Sequence, residues 1–322
     1  MSKRTTMLIL ASLVVPATAQ AQSWPSKPIR YIVNFAPGGT TDILGRMLAA
    51  GLSPVLGQQV IVDNRPGQAG SIGAAELARA APDGHTIGAG TISSHAINVS
   101  LYSKLPYDPL KDFAPITLLA TLPNMLVVHV SLPVKSVKEL ISLARTQPSH
   151  QLNFGSAGNG TSQHISGELF KTMTGVKMQH IPYKGSGPML PDLLAGYVQL
   201  SFENITTAYP PVKAGRLRAL AVTTAKRSFV APEVPTMDEA GLKGYNISSW
   251  QALFAPAGTP RDVLARLHTE VVKVLRSPEA QKRLTDLGLE TGGITPEELT
   301  ALLRTEIPRL GKIVRESGAR VD

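Results

Sequence analysis

Residues 34–42 read NFAPGGTTD, an apolar strand-like run passing straight into proline, two glycines, two threonines and an aspartate. Glycine lets a backbone turn tightly and approach a ligand closely, and a helix start leaves main-chain N–H groups without intrahelical partners. Those N–H groups and the helix dipole favour an anion. Thr40 and Thr41 add neutral hydroxyl donors, and Asp42 either caps the helix or orients a threonine. Such a loop suits a phosphate, an oxyanion, a carboxylate, or nothing more than the start of a helix. A second stretch from residue 153, NFGSAGNGTSQHISGELF, repeats the order of Asn-Phe, Gly-rich loop with hydroxyls, then helix. Its loop carries Ser156, Gly158, Asn159, Gly160, Thr161 and Ser162.

Several chemistries fail on spacing. GSAGNGTS (155–162) has the glycine spacing of a P-loop, but Thr161 stands where the phosphate-binding lysine is required. GQAGSIG (67–73) runs Gly-x-x-Gly-x-x-Gly rather than Gly-x-Gly-x-x-Gly, so a dinucleotide fingerprint fails too. The Gly-x-Ser-x-Gly elbow of serine hydrolases is absent. Ser93 and Ser94 beside His95, and Ser162 near His164, put hydroxyls close to imidazoles, but a triad is defined by geometry and not by adjacency. The seven histidines include no His-Glu-x-x-His arrangement. The chain has no cysteine, which removes thiol catalysis, disulfides and thiolate metal sites. Neither a metal nor a cofactor is expected, and the chain is read as a non-enzyme.

The first residues, MSKRTTMLILASLVVPATAQAQ, combine Lys3 and Arg4 with an apolar run and a small-x-small site at Ala19-Gln20-Ala21. That predicts a signal peptide over residues 1–21, a mature chain from about Gln22, and export to the periplasm. The formal charge of +9 becomes +7 without Lys3 and Arg4, since residues 1–21 hold no acid. A basic surface can attract anionic small molecules. With 5% aromatic residues and no Lys/Arg run interleaved with them, nucleic acid is not an expected partner.

The elements that must position these loops alternate. Strand patterns at 29–35, 60–64 and 85–91 enclose helical ones at 42–52 and 71–80, a βαβαβ unit with a parallel sheet. A second alternation has strands near 125–130, 152–154, 177–182, 198–202 and 217–223, with helices at 136–146, 162–173 and 187–195. Ser136 with Glu139 and Thr295 with Glu298 read as capping boxes, and Thr259-Pro260 as a threonine cap before a first-turn proline. The C-terminal segment is helical and returns to the first unit, so crossings are expected near 120–126 and 244–252. The expected division is 22–122 with 246–322 as lobe 1 and 123–245 as lobe 2, with a ligand cleft between them at the carboxyl ends of the strands.

WPSKPIRYIVNFAPGGTTD, GSAGNGTSQH, IPYKGSGP, FENITTAYPPVKAGRLRALAVT, VPTMDEAG and FAPAGTP, in this order from Trp24 onward, together resemble the periplasmic solute-binding proteins of tripartite tricarboxylate transporters, the Bug family. The resemblance implies an α/β, two-lobed type II periplasmic-binding-protein fold of mostly parallel sheets flanked by helices, closing like a Venus flytrap on a small carboxylate. It implies a monomer that delivers a di- or tricarboxylate, an amino acid or an aromatic acid to membrane transporter subunits. Sensing for a signalling partner, or hydrolysis or isomerisation of a carboxylate, are the alternatives. By resemblance, Ala36, Gly38, Gly39, Thr40 and Thr41 grip one end of the ligand, and Ser156, Gly160, Thr161 and Ser162 surround a carboxylate. Ser93, Ser94 and His95 resemble a third wall. Glu203 and Asn204 fall at the distal end, where an acid either accepts an ammonium group or is a strand-end carboxylate in water. Lys184, in PYKG, is the nearest cation by motif, read either as a ligand contact or as a solvated turn residue.

Overall fold

A computed structural model describes residues 24–146 and 152–319. The expected signal peptide lies outside the described residues. The apolar run after Pro28 forms β1 (Ile29–Val33), buried at every residue except Arg30. It leads into α1 (Thr40–Leu56), β2 (Val60–Asn64), α2 (Ser71–Ala78) and β3 (Thr86–Thr91). β2 and β3 flank β1, both parallel to it, as a right-handed βαβαβ pattern requires. A π-helical turn at Ser93–Ile97 and the short α3 (Asn98–Leu101) follow.

β4 (Phe113–His129) then runs for 17 residues. After it come α4 (Val137–Thr146), β5 (Asn153–Ser156), α5 (Ser162–Thr174), β6 (Gln179–Pro182), α6 (Ser186–Ala195), β7 (Leu200–Asn204), α7 (Ile205–Lys213) and β8 (Leu217–Val222). The chain returns through β9 (Ser248–Pro256) to α8 (Arg261–Arg276), α9 (Pro278–Asp286), β10 (Glu290–Thr291) and α10 (Pro296–Ser317).

The strand order is β2-β1-β3-β9-β4-β7-β5-β6, with β8 and β10 also bonded to β4. Parallel pairing occupies two wings, β2-β1-β3 and β7-β5-β6. The centre is antiparallel, because β4 and β9 are traversed in opposite directions on the way out of and back to the first wing. Residues 113–123 of β4 pair with β9, and residues 124–129 pair with β7 and β8. At this change of partner the Thr223 hydroxyl accepts from Asn124 N–H at 3.0 Å and donates to Ile247 O at 2.6 Å, tying both connections together.

The C-terminal helices pack on the first wing for a reason visible in their spacing. Val263, Leu267, Val271 and Leu275 fall every four residues along α8 and join the core of Ile29, Val33, Leu48 and Leu52. Leu299, Leu303, Leu310 and Val314 make a similar stripe on α10, set against Ile32, Ala252 and Phe254. A separate core of Leu126, Phe154, Phe170, Phe202 and Tyr245 fills the second half. Thr295 and Glu298 form the expected capping box at α10. At α8, Pro260 is itself the N-cap, and the Thr259 hydroxyl turns back to Pro256 O at 2.8 Å.

Candidate ligand cleft

Four helices begin at one place. The starts of α1 (Gly39, Thr40, Thr41), α5 (Ser162, Gln163) and α6 (Ser186), with Asn204 at the start of α7, line a narrow cleft between the two halves of the sheet. Phe35, Thr91, Ser93, Ser249 and Gln251 complete it on the first half and Ala157 on the second. Among the described residues, no charged side chain lines it. Of the four helices, α1, α6 and α7 have no side-chain cap, so their first N–H groups are donors without a local side-chain acceptor. About 20 Å³ of the cleft is open to water centres, room for one or two water molecules.

The first loop is braced from behind. Asp42 accepts from Gly38 N–H at 3.1 Å, from Asn64 Nδ2 at 3.0 Å and from Arg46 Nε at 3.0 Å. Burial alone would raise its pKa, but these hydrogen bonds and the Arg46 charge hold the carboxyl below its ordinary value. Asp42 therefore neither caps the helix nor orients a threonine; it fixes the turn at Gly38, where φ is +87°. The Thr41 hydroxyl donates to Gln251 Oε1 at 3.0 Å, leaving the Gln251 amide nitrogen as a donor. Thr40 accepts from Asn204 Nδ2 at 3.1 Å across the cleft.

The second loop is satisfied internally. Thr161 caps α5, accepting from His164 N–H at 3.3 Å and donating to Gly158 O at 2.7 Å. Gly160 N–H donates to His164 Nδ1 at 3.1 Å, and Gly158 N–H to Ser156 Oγ at 3.1 Å. Ser156 Oγ lies 2.6 Å from His180 Nε2, and that ring stacks on Phe154 and, at 4.1 Å, on His164. Burial keeps both imidazoles neutral: the pKa of His164 is pushed down to about 4, with Lys171 adding to the shift, and that of His180 to about 2. Only Ser162, Gln163 and Ala157 reach the cleft from this side.

Of the residues singled out in the sequence, Gly39, Thr40, Thr41, Ser93, Ser162 and Asn204 line the cleft together. Ala36 and Gly38 line an outer groove beside Lys184, where Ala36 N–H donates to Lys184 O at 3.3 Å. Ser156, Gly160 and Thr161 hold the second loop in shape. Ser94 and His95 do not form a wall. Ser94 Oγ sits 2.9 Å from His95 Nδ1, both residues are fully buried, and His95 stacks on Phe254 at 4.3 Å. Burial pushes the His95 pKa down to about 3.

Glu203 is wholly buried rather than a strand-end carboxylate in water. Its Oε1 accepts from Ser186 Oγ at 2.7 Å, Thr207 Oγ1 at 2.8 Å, Asn204 N–H at 2.9 Å and Gln163 Nε2 at 3.4 Å. Burial raises its pKa despite these bonds. It stands one layer behind the cleft, positioning Ser186 and Gln163.

Thr91, Gln163, Ser186, Ser249 and Gln251 escaped the sequence reading. Ser186 alone carried a signal, since KGSGP repeats the glycine-then-hydroxyl helix start a third time. The others are single polar residues in strands or within a helix turn.

This fold has close counterparts. A family model described as "Tripartite tricarboxylate transporter family receptor" matches residues 44–319. BugT of Bordetella pertussis is 35% identical, over 98% of this chain and 96% of its own length. The structure titled R. palustris Rpa4515 with adipate is 43% identical with a TM-score of 0.89, covering 92% of this chain and all of that one. MatC from Rhodopseudomonas palustris with bound malate is 34% identical with a TM-score of 0.86, covering 90% of this chain and all of that one. A cleft ringed by helix starts, on a two-winged sheet shared with these proteins, accompanies a family match over most of the length, and the chain belongs to the tripartite tricarboxylate transporter family of receptors, the Bug proteins.

Proposed function

We propose that this protein captures a small organic carboxylate in the periplasm and, as a monomer, hands it to the membrane subunits of a tripartite tricarboxylate transporter. The observation that carries this reading is the convergence of four helix starts, three without a side-chain cap, on a cleft lined by no charged side chain. Main-chain N–H groups of α1, α5 and α6, with the Ser93 hydroxyl, the Gln251 amide and the Ser162 hydroxyl once its long bond to Asn124 gives way, supply neutral donors matched to one carboxylate. Neutral donors hold a carboxylate without a bidentate salt bridge, whose separation would oppose release. Relatives with adipate and malate support the ligand class.

In this reading, residues 22–122 with 246–322 move as one lobe and 123–245 as the other, and the hinge lies where β4 changes partner at Asn124 and where Thr223 joins Ile247. Closing brings the α1 start, from the first lobe, against the starts of α5, α6 and α7, from the second, so a ligand bridges both and stabilises the closed form. Catalysis is disfavoured by the burial of Ser94 and His95 in an aromatic cluster away from the cleft.

Calorimetric titration with a panel of carboxylates and their matching primary amides tests the reading. Carboxylates are expected to bind and the amides to give no heat. Absence of binding by every carboxylate would overturn it, and a ligand recovered chemically altered would return the hydrolase or isomerase alternative.

A further inference from the structure

The cleft at the helix starts is not the only space between the two halves. Phe35 and Ala157 also line a second, outer chamber, so the two spaces adjoin at these residues. The outer chamber has about 430 Å³ open to water centres, against about 20 Å³ in the inner cleft. Its walls include Gln68, Tyr102, Asn159 and Lys184, and no Asp or Glu lines either space.

Among the described residues, Lys184 is the only cation lining the inner cleft, the outer chamber or the groove beside them. Its side chain is exposed, and it forms no ion pair with any described residue. Its backbone is fixed at the meeting of the halves: Lys184 O accepts from Ala36 N–H, and Gly185 follows at φ +148°. The opposite wall is held in an uncommon conformation. Gln68 and Ala69 both have left-handed φ, +47° and +48°, and Asn98 Nδ2 donates to both of their carbonyls at 3.3 Å. An uncompensated positive charge at the rim of a preformed polar chamber, next to an inner site suited to one carboxylate, is arranged for a second negative group.

We propose that the outer chamber is a second subsite, in which Lys184 receives a second carboxylate of a ligand whose first carboxylate lies among the helix starts. This rests on the carboxylate reading above and narrows it to dicarboxylates long enough to reach past Phe35 and Ala157. The solvated-turn role of Lys184 is thereby replaced by a ligand contact.

Titration calorimetry with adipate and with hexanoate, which has the same carbon count and one carboxylate, tests the subsite on the purified exported protein. The wild type binds adipate more tightly than hexanoate. Lys184→Gln weakens adipate about fivefold, the scale of one partly solvated ion pair, and changes hexanoate less than twofold. Lys184→Arg retains the preference, and raising salt narrows it. An adipate-to-hexanoate ratio unchanged by Lys184→Gln overturns the subsite while the carboxylate reading stands. Wild-type binding of hexanoate as tight as that of adipate, or no binding of adipate, likewise overturns the subsite, whereas the carboxylate reading falls only if the whole carboxylate panel fails to bind.

Discussion

The two loops that look alike in sequence do opposite things. NFAPGGTTD and NFGSAGNGTS share the Asn-Phe opening, but the strands are offset: Asn34 follows the last residue of β1, whereas Asn153 is the first residue of β5. Phe35 therefore reaches the cleft, while Phe154 is buried against His180 and Phe202. The first loop is braced from behind by Asp42 and tied by Thr41 to Gln251 and by Ala36 to Lys184, but the start of α1 has no side-chain cap. The second spends Ser156, Thr161 and His164 on its own main chain and offers the cleft only Ser162, Gln163 and Ala157. One jaw is an open set of donors and the other a self-supporting wall. The residues of the second half that meet the first loop's turn come instead from the start of α6. Gly185 packs on Ala36, and a Cβ on Gly187 would collide with the Pro37 carbonyl.

That contrast can be broken most severely at the contact between halves. Gly187→Val is expected to prevent the approach of α6 to Pro37 and to weaken carboxylate binding about 100-fold, the upper range of an overpacking penalty. Gly187 lies half-buried at the start of α6 and not among the core residues, so the melting temperature should shift little. Calorimetry together with the solution radius of gyration measures both, and unchanged affinity would show that the loops need not touch.

Acid should separate the loops next. His164 has its pKa near 4 when folded against 6.5 unfolded, so its neutral form stabilises the native state fully above pH 6.5. This stability is lost as pH falls from 6.5 toward 4, at about 1.4 kcal/mol per unit, or about 2 kcal/mol by pH 5. Asp42 has the opposite charge type and a pKa below 3.8, so its contribution persists above that value and is lost only at lower pH. Amide protection factors, with the intrinsic rate at each pH divided out, should therefore fall from pH 7 to pH 5 around the start of α5 and not around α1. An equal fall at both would remove the distinction.

Two neighbouring substitutions sharpen it further. The Ser162 hydroxyl makes only a long bond, to Asn124 Oδ1 at 3.4 Å, which a ligand can displace, so Ser162→Ala should weaken carboxylate binding about tenfold with little effect on stability. Thr161→Ala removes a cap whose hydroxyl is already committed, and should lower stability by about 1 kcal/mol while affinity changes less than for Ser162→Ala. Denaturant unfolding and calorimetry on both variants decide the point; the reverse ranking of affinities would make the second loop an open grip.

Much of this was readable from local pattern. β2 lies where VIVDN places it, α5 begins at Ser162 after its Thr161 cap, and Thr295 with Glu298 starts α10. These depend on contacts within a few residues. Two stretches were missed as strands, 113–122 and 248–256, because their apolar and polar residues follow neither a clear alternation nor a helical stripe. They pair with each other across more than a hundred residues of chain and are buried on both faces. Proline at 115, 123 and 256 further masked them, since proline argues against a central strand. The register shifts between Pro115 and Thr117 and between Leu118 and Ala120 show how the ladder accommodates such residues.

The amino-acid sequence by itself determined the Gly-rich helix starts, their preference for an anion, the exclusion of a P-loop and of thiol chemistry, and the resemblance to the Bug family. Each follows from residue types at short range, where backbone geometry and hydrogen-bonding capacity are local properties. The tertiary structure alone decided which hydroxyls are spent and which are free. A threonine in a loop offers its O–H to a ligand only if no nearer carbonyl takes it, and Gly158 O takes that of Thr161. It also decided that Ser94 and His95 belong to an aromatic core, that Glu203 lies behind Ser186, and that Ser249 and Gln251 arrive on a strand from the far end of the chain. Those outcomes depend on which segments pack together, and packing between distant segments is set by the whole core.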